Sequence, residues 1–274
     1  MSLRIGLVGC GTIGTELSTA ILDGTLDCRL ACVLDPGGER CAALIERFDA
    51  DPPMRVETVA ELVAEVDLVV EAASQAAVAQ IGVPVLAQGR DLLVLSVGAL
   101  ADAPLRRRLF ETADRSGATI HIPSGAIAGL DAVKAAALTD GLDTVSLTTT
   151  KPPAGLAGAP YLVENDIDLS GLTDPRVVFE GVATVAAKAF PSNINVAMAL
   201  SLAGIGPDKT RVRIIADPTE ETNVHRIDAT GTVGEIHTEV RNVPSPTNPK
   251  TSYLAALSAI EKLRSLEATV RVGT

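Results

Sequence analysis

The first half of the chain alternates short apolar runs with segments of helical periodicity. Runs such as LVV and LLVL contain no polar alternation, which is typical of strands buried on both faces of a parallel sheet. The pattern predicts a doubly wound α/β domain over residues 1–123. Its predicted strands are 3–8, 29–34, 67–71, 91–96 and 118–122, and its predicted helices are 15–22, 37–48, 59–64, 75–86 and 104–117.

The pattern changes after Pro123, where strands become frequent and two alanine-rich helices separate them. We predict a second, α+β domain over residues 124–248, with an open sheet and helices on one face. Its predicted strands are 144–150, 176–179, 211–216, 223–229 and 234–241, and its helices are 182–189 and 194–202. A segment leading from Ser124 into a helix through Ala137 opens this domain. A final helix over 249–274, with Leu254, Leu257, Ile260 and Leu263 as its apolar stripe, is predicted to pack on the first domain.

The first strand runs into the sequence GCGTIG, a glycine pattern that opens a helix. In a Rossmann nucleotide-binding domain the first glycine permits a tight turn, the second lets the backbone approach a pyrophosphate, and the third allows the helix to pack on the strand. The helix N-terminus then offers N–H groups to the phosphates. We therefore predict dinucleotide binding by Gly9, Gly11, Thr12, Ile13 and Gly14. The other interpretation is a glycine-rich turn without a ligand.

Asp35 ends the second strand at the spacing expected for a residue that binds ribose hydroxyls. Its carboxylate would repel a 2′-phosphate, so the pattern favours NAD, and nearby Arg40 keeps NADP possible. The alternative role for Asp35 is to cap the following helix. Because ligands of such sheets bind beyond the carboxyl ends of the strands, two further loops are predicted to border the nicotinamide half. Their candidate residues are Ala72, Ala73, Ser74, Ser96 and Gly98.

The charge and composition of the chain argue against several classes of binding partner. A net charge of −11 argues against nucleic acid and anionic membranes, which both require clustered positive charge. The chain carries neither a membrane-length apolar run nor a secretory signal pattern, and its four cysteines show no zinc-ligand spacing. These observations predict a cytoplasmic protein with no metal site.

Several segments together resemble one enzyme family across essentially the whole chain. They are GCGTIG, EAAS, SVGAL, SGAIAGLDAVKAA, TTTKPP, FPSNINVAMALSLAGIG, NVHRI and NVPSPTNPKTSYLA. The set is similar to that of the L-aspartate dehydrogenases. The resemblance implies oxidation of L-aspartate with NAD or NADP to iminoaspartate, which gives oxaloacetate and ammonia or feeds NAD biosynthesis. It also implies that His225 is catalytic, that Ala126 meets the cofactor through its backbone, and that Asn195 or Asn193 contacts it.

Chemical reasoning from the residues alone, without the resemblance, supports part of this assignment. His225 lies in a predicted strand that places Asn223, His225 and Ile227 on one face, and a half-exposed strand histidine is the alternative to a catalytic base. A base with a pKa near the working pH suits the removal of a proton from an amine. The substrate carboxylates need cations or N–H donors, and the candidates are Lys151, Lys250, Lys134 and the amides after Ser124. The family often has a basic residue where this chain has Thr150, so contacts in TTTKPP stay open.

Two other functions are compatible with the same scaffold. One is a related homoserine or semialdehyde dehydrogenase, and the other is a non-catalytic protein that senses NAD(P). An exposed sheet in the second domain would form a dimer surface, so a homodimer is expected.

Overall fold

The fold is described from a computed structural model that covers residues 2–191, 194–245 and 248–273, with residues 248–251 described by their backbone alone. The chain forms two compact units. Unit 1 contains residues 1–123 and 256–271, and unit 2 contains residues 124–255 and 272–274. Among the described residues, no helix combines the length and the apolar character that crossing a membrane requires.

Unit 1 contains a six-stranded parallel sheet in the order β3-β2-β1-β4-β5-β6. Its strands are β1 (Leu3–Val8), β2 (Cys28–Leu34), β3 (Met54–Arg55), β4 (Leu68–Glu71), β5 (Asp91–Val94) and β6 (Ile120–His121). Its helices are α1 (Thr12–Leu22), α2 (Gly38–Ile45), α3 (Val59–Glu65), α4 (Gln75–Ala87) and α5 (Ala103–Ser116), with a 3-10 helix at Val97–Ala101. The order reverses beside β1, as in a Rossmann domain.

Helices cover both faces of this sheet. On one face the cluster of Ile5, Leu17, Leu30 and Val70 is fully buried. On the other face α3 and α4 pack against the strands, and Leu62, Val69 and Leu86 are buried. Burial on both faces explains why the strands are continuous apolar runs, and the predicted doubly wound fold is confirmed.

Unit 2 contains a mixed five-stranded sheet in the order β11-β10-β7-β9-β8. Its strands are β7 (Thr144–Lys151), β8 (Arg176–Val182), β9 (Arg211–Ala216), β10 (Asn223–Gly231) and β11 (Gly234–Asn242). Its helices are α6 (Leu130–Ala137), α7 (Pro160–Glu164), α8 (Ala183–Ala189) and α9 (Asn195–Ala203), and a 3-10 helix lies at Pro153–Gly155. A separate antiparallel pair joins β12 (Pro244–Ser245) to β13 (Asn248–Ser252). Strand β7 pairs in parallel with β9, and the other pairs in the large sheet are antiparallel.

The segment from Ser124 leads into a helix that ends at Ala137, as predicted, but Ser124 itself does not lie at the start of that helix. Helix α6 begins only at Leu130, so residues 124–126 form a turn instead of a helix start. Gly129 has a left-handed backbone, with φ of +87°, and a side chain there would collide with Thr238. A residue in the left-handed region interrupts a right-handed helix, which moves the helix start beyond it.

The final helix also begins later than predicted. Helix α10 (Tyr253–Glu267) follows β13, because residues 248–252 pair with β12 and do not continue the helix. Its buried residues are Ala256, Ala259, Ile260 and Leu263, and the last three join the core of unit 1. The predicted stripe was half wrong, since Leu254 and Leu257 are 38% and 39% exposed. Because alanine side chains are small, the helix face that carries them lies close to its neighbours. The buried face is therefore formed partly by alanines and not by the two predicted leucines.

Candidate cofactor and catalytic sites

The glycine loop of unit 1 joins β1 to α1 and has a shape that suits a phosphate group. Gly9 has φ of +101°, and a Cβ there would lie 2.7 Å from the carbonyl oxygen of Ala72. A Cβ on Gly14 would overlap the carbonyl oxygen of Gly9, whereas a Cβ on Gly11 would meet nothing within 4 Å. Packing of the chain therefore requires Gly9 and Gly14 but not Gly11. The open space at Gly11 fits the approach of a pyrophosphate, as the motif predicts.

Helix α1 presents its N-terminus at the same place. Gly11 is the N-cap and, as a glycine, provides no capping side chain. The first turn includes Thr12, Ile13 and Gly14. N–H groups at such an end carry a partial positive charge and favour an anion. These residues fit the diphosphate of a dinucleotide.

Asp35 follows β2 and is 8% exposed. Its Oδ2 accepts a hydrogen bond from the backbone N–H of Cys10 at 2.7 Å, and its Oδ1 accepts one from that of Gly37 at 2.5 Å. The carboxylate therefore ties the glycine loop to the turn before α2, whose N-cap is Gly37. The proposed capping of α2 by Asp35 is not observed. Arg40 reaches the same turn, because a Cβ on Gly37 would lie 3.1 Å from its Nη2.

The loops after β4 and β5 converge on one side chain that the sequence analysis missed. Glu71, the last residue of β4, is fully buried and accepts four hydrogen bonds from these loops. Ala73 and Ser74 are exposed and Ser96 is half-buried, while Gly98 is buried within the 3-10 helix. A charged residue ending an otherwise apolar strand was the available signal for Glu71 in the sequence.

His225 lies in β10 of unit 2 and is 5% exposed. Together with Ile227 and Ala229 it faces the core, whereas Arg226 on the other face is exposed. The predicted alternation along this strand is therefore observed. His225 pairs in register with Thr149 of β7, and the Thr149 hydroxyl is 3.0 Å from Nδ1. This hydrogen bond orients the ring.

The electrostatics of His225 differ from the expectation of a base that titrates near neutrality. Burial, followed by the positive charge of Lys151, lowers the pKa of His225 to about 3. The imidazole is therefore neutral at physiological pH. It accepts a proton only when something offsets the desolvation and the neighbouring cation.

Lys151 ends β7, two residues beyond Thr149 and on the same face of the strand. Burial lowers the pKa of Lys151 to about 8. Lys134, a rival candidate, is exposed in the last turn of α6. The side chain of Lys250 lies outside the described part of the chain. Of these lysines, the structure thus brings Lys151 to His225.

A second group of residues surrounds the turn at Ser124–Ala126. Ser124 is half-buried and Ala126 is buried. The carbonyl of Ala126 accepts a hydrogen bond from Nδ2 of Asn242 at 3.1 Å, a contact that sequence reasoning did not find. A Cβ on Gly125 would lie 3.6 Å from Val196, so this turn borders the start of α9, where Asn195 is exposed. Asn193 lies outside the described residues.

The other two histidines take structural positions. His121 is buried, and its Nε2 lies 3.1 Å from Asp91 at the start of β5. His237 is exposed, and its two ring nitrogens contact Asp228 and Glu235. Among the residues that the structure describes, no group of His, Cys, Asp and Glu has the arrangement of a metal site.

Two family models match the chain. Residues 9–123 match the NAD-binding domain of homoserine dehydrogenase, and residues 131–266 match the C-terminal domain of aspartate dehydrogenase. An L-aspartate dehydrogenase from Methanosarcina mazei is 47% identical over 99% of this chain and 100% of its own. One from Nitrosopumilus maritimus is 42% identical, with 99% of each chain covered.

A solved structure with the same fold is that of aspartate dehydrogenase from Thermotoga maritima. It superimposes with a TM-score of 0.76 at 28% identity and covers 100% of both chains. The structure of a myo-inositol dehydrogenase described as putative, from Sinorhizobium meliloti, has a TM-score of 0.53 at 18% identity, over 99% of this chain and 91% of its own. At that identity the second likeness concerns the fold alone.

Proposed function

The chain belongs to the aspartate dehydrogenase family, and from this premise we propose that it oxidises L-aspartate with NAD or NADP to iminoaspartate. The reduced cofactor and one proton are the other products. Hydrolysis of the imine yields oxaloacetate and ammonia, or the imine enters NAD biosynthesis. The observation that carries this proposal is the similarity to L-aspartate dehydrogenases over 99% of the chain.

His225 is the proposed base. The α-carbon of an amino acid releases hydride only when its amine is neutral, so a group at the site must accept a proton from the substrate ammonium. When bound, the nicotinamide cofactor supplies the hydride acceptor. Thr149 engages Nδ1 of His225, and we assign proton transfer to the other ring nitrogen, Nε2. The neutral resting imidazole provides the required lone pair.

Lys151 is proposed to bind a substrate carboxylate. Its positive charge is one of the two causes that lower the pKa of His225. A substrate carboxylate beside Lys151 offsets that charge, so substrate binding raises the basicity of the imidazole. The base would then become effective when its substrate is present. Ser124 and Lys250 remain further proposals for contacts with the second carboxylate.

The proposed cofactor residues fall into three groups, which would bind the diphosphate, contact the ribose and lie beside the nicotinamide. Asp35 favours NAD, because its carboxylate occupies the place where a 2′-phosphate would bring further negative charge. Arg40, which reaches the same turn, supports some use of NADP. Ala126 and Asn195, which border one turn of unit 2, are proposed to contact the cofactor as in the family.

The decisive experiment compares substrates and one variant. NADH formation is measured with L-aspartate, D-aspartate, L-glutamate and L-homoserine, for the natural chain and for His225→Asn. We expect turnover with L-aspartate alone and a loss of at least about 100-fold in the variant, the usual contribution of a general base. His237→Asn is the matched control, since it removes an exposed histidine. Turnover with L-homoserine would favour a related dehydrogenase, and the absence of turnover with every substrate would favour the non-catalytic alternative.

We further propose a homodimer and a cytoplasmic location. The outer face of the unit 2 sheet carries charges of both signs: Arg226 and Asp228 form an ion pair, and His237 makes hydrogen bonds to Asp228 and Glu235. Such a mixed face can complement a second copy related by a two-fold axis. The four cysteines are free, which suits a reducing compartment. Light scattering of the purified chain tests the dimer.

A further inference from the structure

Glu71 is a buried carboxylate with no assigned role, placed where the ends of three parallel strands meet. Oε1 accepts hydrogen bonds from the N–H groups of Ala73 and Ser74 and from the hydroxyl of Ser96, each at 2.9 Å. Oε2 accepts one from the N–H of Ser96, also at 2.9 Å. One side chain thereby joins the loop that follows β4 to the loop that follows β5.

The same loops contact the glycine loop. The backbone N–H of Ala72 donates to the carbonyl of Val8, and Gly9 lies so close to Ala72 and Ala73 that a Cβ there would collide with both. The position of Glu71 therefore sets three consecutive loops along the carboxyl edge of the sheet. In doubly wound sheets this edge binds the ligand.

Burial and hydrogen bonding act in opposite directions on the ionisation of Glu71. The pKa of this carboxyl group is raised on balance, because burial has a larger effect than the hydrogen bonds from Ser96, Ala73 and Ser74, which lower it. All four groups around the carboxylate donate, and an ionised carboxylate accepts four such bonds without a competing proton. The four donors therefore favour the negatively charged form and oppose the effect of burial.

We propose that Glu71 is a positioning residue for the nicotinamide half of the cofactor, and that its charge favours the oxidised cofactor over the reduced one. The inference rests on the proposed function in so far as unit 1 binds NAD. The oxidised nicotinamide ring is cationic and the reduced ring is neutral, so a fixed negative charge at the carboxyl edge stabilises the first more than the second. A site that binds the oxidised form well suits an enzyme that starts its cycle by accepting hydride.

The test is the ratio of two dissociation constants, those of NAD⁺ and NADH, measured by calorimetry on the full chain without substrate. Glu71→Gln keeps the size of the side chain but removes its charge. We expect the ratio Kd(NAD⁺)/Kd(NADH) to rise by about tenfold, the effect of a unit charge about 12 Å away at an effective dielectric constant of about 20. A merely structural defect would weaken both nucleotides and leave the ratio unchanged.

Asp91→Asn is the matched control. Asp91 also accepts a backbone N–H, that of Thr119, and contacts His121, but it lies at the amino end of β5 and so at the opposite edge of the sheet. This variant should keep the wild-type ratio. A folded Glu71→Gln protein whose ratio stays within about twofold of the wild-type value would overturn the proposal.

Ser96→Ala is a second variant that tests the positioning role if Glu71→Gln does not fold. It removes one hydrogen bond and keeps the charge, so both dissociation constants should rise by a similar factor of about five, and the ratio should not move. No change in either constant would overturn the positioning role. If the natural chain binds neither nucleotide, the proposed function fails as well, and this result is distinct from a failure that appears only in the variants.

Discussion

The buried, neutral state of His225 makes the stability of the protein depend on pH in a way that one substitution should reveal. In the unfolded chain the imidazole has an ordinary pKa of 6.5, and in the folded chain it is about 3. The unfolded state therefore binds the proton first as the pH falls. Stability attributable to His225 is complete above pH 6.5 and declines as the pH falls from there toward 3.

The magnitude follows from the two pKa values. The full difference is worth about 5 kcal/mol, and about 2 kcal/mol of it is lost between pH 7 and pH 5. The perturbation is His225→Asn, which keeps a polar partner for Thr149 and does not titrate in this range. The natural chain should lose about 2 kcal/mol more than the variant over this interval.

Urea unfolding at the two pH values, followed by a probe of unit 2, measures this difference. Comparison between chains cancels the contribution of His121, whose pKa is also lowered, chiefly by burial. His237→Asn is the control with the opposite sign, because its hydrogen bonds to Asp228 and Glu235 raise its pKa and stabilise the folded chain at low pH. Equal losses in the natural chain and in His225→Asn would refute the reasoning, and His225 would then not be buried as the structure describes.

Two further predictions concern the glycine loop and the substrate cation. Gly14→Ala should destabilise the protein by about 3 kcal/mol, because its Cβ would overlap the carbonyl oxygen of Gly9. Gly11→Ala should change the stability by less than about 1 kcal/mol but weaken NADH binding at least about tenfold. Thermal unfolding and NADH fluorescence measure these effects, and equal stability of the two variants would contradict the packing argument. Lys151→Met should raise the KM for L-aspartate at least about tenfold, with Lys134→Met as the exposed control, and steady-state kinetics would exclude the role if KM stayed unchanged.

Much of unit 1 was predictable because its signals are local. The apolar runs and the glycine spacing lie within consecutive residues, and each strand is buried on both faces, so hydrophobicity alone marks it. Helix α10 shows where this reasoning fails. Its buried face is set by Ala256 and Ala259, and no local pattern shows that these small residues, and not Leu254 and Leu257, meet the core.

The position of His225 on one face of a strand could be predicted from the sequence, but its burial and its pKa could not. The family resemblance indicated His225, and the alternation of β10 was readable from the sequence. Its burial and its hydrogen bond depend on Thr149, a residue 76 positions away that only the pairing of β10 with β7 brings near. Glu71 was missed for the same reason, because Ser96 lies 25 residues beyond it in the sequence. Long-range pairings of this kind fix the pKa values, which composition and spacing do not contain.

The division of unit 1 between residues 1–123 and 256–271 has a consequence for how the protein is made. During synthesis the six strands and five helices of the first segment emerge with one part of their core still exposed, because Ala259, Ile260 and Leu263 are not yet translated. Unit 2, which is nearly continuous in the sequence, is complete before that core can close. The nucleotide-binding half, although first to leave the ribosome, is therefore the last to complete its core.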